Sequence, residues 1–232
     1  MHFFRLKTCE NEFLEPADPE NSFRAAFVLK MTEIELKAHV DKREPLVQRL
    51  SAFARYEGRV VRDDEYFAPA RGDRRTLRIR RERFEPGTAR ESSRCLVTYK
   101  RRSLSTDGRG TTVEVNDERE CTVSDPDALL SFLADTGFVS VLRKHKDVED
   151  WSLDLPAGSV LSCPLSATFE LCAVPPLGDF LEIEILSPAG DGDSVAKVRA
   201  SLSGLLLRAG IPASCIEERS YRELLEQAAA KL

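Results

Sequence analysis

The chain has 232 residues, 42% of them hydrophobic and 31% charged, with a formal net charge of −5. That size and apolar content can build a real core and exclude disordered, collagen-like and coiled-coil classes. An acidic total disfavours nucleic acid as a partner, and no run of about 20 apolar residues offers a membrane span.

In chain order, residues 1–30 lack clean periodicity and contain the turn-rich EPADPENS. Acidic residues stand where the apolar core of a secretion signal would lie, so a cytoplasmic protein is expected. Residues 1–30 are read as an extension, disordered or upstream of the true start, and 31–232 as the folded domain. Short strands dominate from there: 33–40, 65–69, 76–84, 93–102, 113–123, 139–146, 166–174 and 180–186. A turn is expected at Pro175-Pro176-Leu177-Gly178. Leu46, Leu50 and Phe53 have helical spacing over Pro45–Tyr56, and a second helix is predicted over 124–135 with Ser124 as cap and Pro126 in the first turn. A C-terminal helix pair, about 193–209 and 214–231, is divided by Gly210-Ile211-Pro212.

The six cysteines show no CxxC pair or Cys/His spacing, which argues against a structural zinc site and a disulfide framework. Charge is unevenly placed: residues 71–83 carry seven arginines, a candidate anion site. Several strands alternate charged with aliphatic residues, so that Glu33, Glu35 and Lys37 share one face, as do Arg78 and Arg80, Lys144 and Lys146, and Glu182 and Glu184. A one-sided sheet facing water would give that alternation. Segregation by sign is harder to explain, because like charges on one strand repel unless something positive lies opposite. Acidic strands beside basic strands inside a barrel supply it, and such a cavity would hold divalent metal on carboxylates and polyphosphate on Arg and Lys.

Five motifs in order, Glu33-x-Glu35-x-Lys37, Leu77-Arg78-Ile79-Arg80, Thr98-Tyr99-Lys100, Glu118-x-Glu120 and Leu177-Gly178-x-Phe180-Leu181-Glu182-Ile183-Glu184, resemble the CYTH superfamily of triphosphate tunnel metalloenzymes. Asp64-Glu65-Tyr66-Phe67, Val123-Ser124-Asp125-Pro126, Gly137-Phe138 and the tail Ser220-Tyr221-Arg222-Glu223-Leu224-Leu225 resemble its class IV adenylyl cyclase branch.

The resemblance implies an α+β fold: a closed antiparallel eight-stranded β-barrel, polar side inward, with flanking helices over its apolar outer face. It also implies Mg²⁺ or Mn²⁺ on Glu33, Glu35 and Glu184, with Glu182 and Glu120 close behind. Lys37, Arg78, Arg80, Lys100 and Lys146, or Lys144 in a shifted register, would grip phosphate; Lys37 and Lys146 are also the catalytic candidates. Where relatives carry an Asp, this chain has Cys172, flanked by Ala173; Val148 and Asn116 stand where Arg is usual. Glu170, one pleat from Cys172, is a candidate substitute ligand. Three functions stay open: conversion of ATP to cyclic AMP and pyrophosphate, hydrolysis of an inorganic or organic triphosphate, and noncatalytic nucleotide or polyphosphate binding. A homodimer is expected from the branch.

Overall fold

The computed structural model describes residues 32–71, 76–106, 112–188 and 191–230, without the side chains of 100–106 and 112–118. The extension 1–30, the Arg74-Arg75 pair and the Lys100 side chain lie outside the described residues. Eight antiparallel strands form one sheet: β1 (Thr32–Val40), β2 (Arg55–Pro69), β3 (Leu77–Phe84), β4 (Ser92–Thr106), β5 (Thr112–Thr122), β6 (Phe138–Leu155), β7 (Leu165–Val174) and β8 (Gly178–Ser187). Their order across the sheet is β1-β8-β7-β6-β2-β3-β4-β5. Four α-helices accompany them: α1 (Arg43–Ser51), α2 (Pro126–Asp135), α3 (Gly192–Arg208) and α4 (Tyr221–Ala229).

Alternation decides which face is buried against what. Ile34, Leu181, Ile183 and Ile185 point to one side, where they join Phe169 and Leu171 and pack under Leu46 and Leu50 of α1 and Val198, Leu202 and Leu206 of α3. Helix α2 covers the same face further along, setting Leu133 against Phe67, Ile79 and Cys95. The charged residues therefore share the opposite, concave face. Its curl is visible in Lys37 and Lys144, on β1 and β6, whose Nζ atoms lie 4.5 and 5.1 Å from one ring centroid, that of Tyr221. Three strand spacings in a flat sheet would hold their backbones about 14 Å apart.

The closed barrel expected from sequence is met in strand number and direction but not in closure. Among the described residues β1 and β5 are not paired. The outer edge of β1 is taken instead by the segment before α4: Ala38 bridges Ile216, and the Glu217 amide donates to the Lys37 carbonyl. A second departure concerns α4, which does not lie outside. Its Tyr221 and Leu224 pack on Val60, Val148, Cys172 and Phe180, all on the concave face, and so cap one end of it.

Element ends also moved. Helix α1 stops at Ser51, because Phe53, although helically spaced, turns to meet Phe169 edge-on at 5.6 Å. The cap of α2 is Asp125, whose carboxylate accepts from the Asp127 and Ala128 amides, rather than Ser124. Residues 214–220 are not the start of a long helix. A 3-10 turn at Ala213–Cys215 precedes the bridge at Ile216, and α4 starts behind a Ser220/Glu223 capping box. Ser220→Ala removes one half of that box and is expected to destabilise α4 by about 1 kcal/mol. Thermal unfolding should show a fall of about 2–4 °C.

Candidate active site

The pairing of β1 with β8 sets Glu35 directly opposite Glu184 and Lys37 opposite Glu182. The next pair, β7 with β8, sets Glu170 opposite Glu182 and Thr168 opposite Glu184. Two carboxylate pairs thus face each other across adjacent ladders, an arrangement that raises the energy of a sheet by itself. Glu170, Glu182 and Glu184 are all buried, whereas Glu33 and Glu35 lie toward the exposed edge at β1. Although the Glu35 side chain reaches solvent, the protein atoms crowded around its carboxyl, reinforced by the Glu182 charge, raise it to about 7.

Cations interleave these acids. Lys146 donates to Glu182 at 2.6 Å and lies 3.7 Å from Glu170. Burial works against its ammonium, but the Glu182 and Glu170 carboxylates outweigh burial and keep it charged. Lys37 donates to the Arg219 carbonyl, and burial lowers its pKa against the pull of Glu182 and Glu35. Arg62, at the centre of the face, donates to Glu82 on β3 at 3.0 Å and to Glu170 on β7 at 2.7 Å. Beside it, Asp64 takes two hydrogen bonds from Arg80, 2.6 and 3.0 Å, and an ion pair from Lys144 at 3.0 Å. Burial tends to raise the Asp64 carboxyl, yet Arg80 and then Lys144 override it and hold the group well below the usual carboxylate range.

The predicted residues therefore fall into two groups. Glu33, Glu35, Lys37, Glu170, Glu182, Glu184 and Lys146 lie on β1, β8, β7 and β6, around the end capped by Tyr221. Arg78 and Glu120 lie on β3 and β5, joined through Thr98: the Arg78 guanidinium donates to the Thr98 hydroxyl at 2.9 Å, which donates to Glu120 at 2.8 Å. Lys144–Asp64–Arg80 and Arg94–Glu82–Arg62 bridge the groups. Sequence reading passed over Arg62 and Glu82 and met Asp64 only within the Asp64-Glu65-Tyr66-Phe67 motif. The signal was present in Val60-x-Arg62-x-Asp64, which alternates as the other strands do, but it sits in a run dense with charge on both faces. Tyr221 was noticed only as part of the tail motif. Lys37, Lys144 and Lys146 all point their ammoniums at its ring, at 4.5 to 5.1 Å.

The donor set suits a divalent cation beside an anion. Opposed carboxylates supply oxygen ligands, and Lys and Arg on neighbouring strands supply point charges and forks for phosphate oxygens. No helix of the described residues is long and apolar enough to cross a membrane.

A CYTH domain family model matches residues 31–221. Among solved structures, a Pyrococcus horikoshii protein is 25% identical with a TM-score of 0.63, over 85% of this chain and 99% of that one. A second P. horikoshii protein is 24% identical with a TM-score of 0.59, over 83% of this chain and 99% of its own. A Vibrio parahaemolyticus protein described as a candidate adenylate cyclase is 16% identical with a TM-score of 0.58, over 84% of this chain and 97% of its own, and shares the fold. No curated protein matches the sequence.

Proposed function

Because the chain belongs to the CYTH family, whose model spans most of its length, we propose that it is a metal-dependent enzyme of triphosphates, converting ATP to cyclic AMP and pyrophosphate in the manner of class IV adenylyl cyclases. The observation that carries this reading is the opposition of Glu35 to Glu184 and of Glu170 to Glu182 on a concave face lined with lysine and arginine. Carboxylates held opposite one another oppose folding; Lys146 and Arg62 offset the Glu170–Glu182 pair, and a bound divalent cation would offset the Glu35–Glu184 pair.

Glu33, Glu35, Glu184, Glu182, Glu170 and, on β5, Glu120 would hold Mg²⁺ or Mn²⁺, which supplies charge neutralisation for the triphosphate and the departing pyrophosphate. Lys146, Lys144, Arg80 and Arg78 bind phosphate oxygens, and Lys100 joins them in this reading. Phosphoryl chemistry asks mainly for such positioning and neutralisation. Lys37, its pKa lowered by burial, is the cation here best suited to exchange a proton, at the ribose 3′-hydroxyl in the cyclase reaction. Tyr221 closes the far end, so the triphosphate chain runs toward its ring and the nucleoside stays at the open end. The face curls into the family tunnel over domain 31–232, with 1–30 as an extension, in a cytoplasmic protein that forms a homodimer; five free thiols among the described residues agree with a reducing compartment.

The same face could direct water at a terminal phosphate, as in a triphosphatase. A noncatalytic binder is favoured by one specific observation, the Cys172 thiol buried among the carboxylates. Purified protein incubated with ATP and with tripolyphosphate, each with Mn²⁺ or Mg²⁺, separates the three by chromatography. Cyclic AMP is the expected product; orthophosphate assigns a triphosphatase, and no product assigns a binder.

A further inference from the structure

Three lysines of the phosphate reading share one neighbour that carries no charge. The ammoniums of Lys37, Lys144 and Lys146 lie over the Tyr221 ring, 4.5, 5.1 and 5.0 Å from its centroid. No two of them therefore stand more than about 10 Å apart, a Debye length or less, so their mutual repulsion is felt. Their other partners differ: Lys37 donates to the Arg219 carbonyl, Lys144 pairs with Asp64 at 3.0 Å, and Lys146 pairs with Glu182 at 2.6 Å. The ring is what they have in common, and an aromatic face seats cations because its π density is negative.

A second observation is how firmly the ring is placed. Tyr221 is buried, meets Phe180 edge-on at 5.2 Å, and packs with Val60 and Val148. It opens α4 directly behind the Ser220/Glu223 capping box. The segment before it is fastened to β1 at the same lysine: the Glu217 amide donates to the Lys37 carbonyl, and the Arg219 carbonyl accepts from the Lys37 ammonium. A ring that merely filled the end of the face would need no cations over it, since an apolar side chain of similar volume packs as well.

We propose that Tyr221 is a positioning residue of the phosphate site: its ring gathers Lys37 from β1 with Lys144 and Lys146 from β6 into one cationic seat for a triphosphate. The ring draws the three ammoniums toward one point and offsets part of their repulsion, so they are in place before the anion arrives. Helix α4 thereby belongs to the phosphate-binding machinery as well as closing the end of the face. The proposal rests on the triphosphate reading of that face and adds the group that assembles its lysines.

The test is calorimetric titration of the full-length protein with tripolyphosphate at constant Mg²⁺, which keeps the carboxylates equally loaded throughout. Position 221 carries tyrosine, then phenylalanine (Tyr221→Phe), then phenylalanine bearing one, two and three ring fluorines. Fluorine withdraws density from the ring face and leaves its size nearly unchanged, so the series weakens the seat without opening a cavity. Affinity is expected to fall with each fluorine, by about 10-fold or more from the plain ring to three fluorines. Tyr221→Leu, which removes the ring, should bind more weakly still; if it fails to fold, the fluorine series decides. Affinity that stays level or rises across the series overturns the positioning role and leaves the triphosphate reading standing, as does native-like affinity in a folded Tyr221→Leu. A native protein that binds no tripolyphosphate overturns both.

Discussion

Asp64→Ala is expected to destabilise the protein by about 3–5 kcal/mol, the range for removing one partner of a buried ion pair. The Asp64 side chain is fully buried, and its two oxygens are the shared acceptors for Arg80 and Lys144. Its loss strands two cations in a face that already holds Arg62. The pH dependence follows from the depressed Asp64 pKa, opposed by burial but set by Arg80. A carboxyl with a folded-state pKa below its unfolded value contributes stability that is complete above the unfolded value and is lost as pH falls. Native protein should therefore lose this contribution as pH drops below about 4. Asp64→Asn should be less stable than native at pH 7 and approach it in acid. Denaturant unfolding of native, Ala and Asn proteins between pH 7 and pH 3 checks both; equal stability of native and Ala proteins at pH 7 removes Asp64 from the framework of the site.

The face chemistry was legible in the sequence wherever a strand was short and strictly alternating. Glu33 to Lys37 and Phe180 to Ile185 announced both their strands and which side was polar, because period two leaves no other way to bury the aliphatic residues. β2 was harder. Its first half, Arg55 to Asp64, carries charge on both faces and contains Gly58, whose φ of +139° accompanies a register shift against β6. A Cβ at Gly58 would collide with the Glu85 carboxylate, whose oxygen accepts from the Arg59 amide. A bulge of this kind breaks the alternation that sequence reading depends on, and Arg62, just beyond it, was lost with it, while Asp64 entered only through its motif and not as a site residue. The start of α4 was readable from Ser220-x-x-Glu223, a capping-box signature overridden by the apparent continuity of residues 214–231.

What the sequence could not show was partnership across non-neighbouring strands. Arg62 joins β2 to β7, and Lys146 joins β6 to β8; each skips a strand, so each depends on the curl of the sheet rather than on local pattern. The same curl brings Tyr221 to three lysines from two strands. Motif matching found the lysines and carboxylates one strand at a time and left open whether they converge. Closure was the point at which analogy overreached, because the free edge of β1 is paired by the segment at Ile216.

Glu35→Gln should move activity and stability in opposite directions. Glu35 faces Glu184 across the ladder, and the protein atoms crowded around its carboxyl, together with the Glu182 charge, raise it from 4.5 to about 7 although the side chain reaches solvent. A carboxyl with a folded-state pKa above its unfolded value binds its proton more tightly when folded, so stability is lost as pH rises from about 4.5 through 7 and the full penalty applies above that. A neutral amide of the same shape removes the penalty. Metal-free Glu35→Gln should therefore melt about 2–4 °C above native at pH 8, and the gain should vanish toward pH 4.5. The same change deprives the cation of a charged ligand: Mn²⁺-dependent turnover should fall by about 10–100-fold or more, and the melting-temperature rise produced by Mn²⁺ should shrink. A solvated sheet face with no site predicts little change in any of these. Differential scanning at pH 5 and pH 8, with and without Mn²⁺, separates the two accounts. Native-like turnover in Glu35→Gln would remove Glu35 from the metal set and leave Glu184, Glu182 and Glu170 to hold the cation.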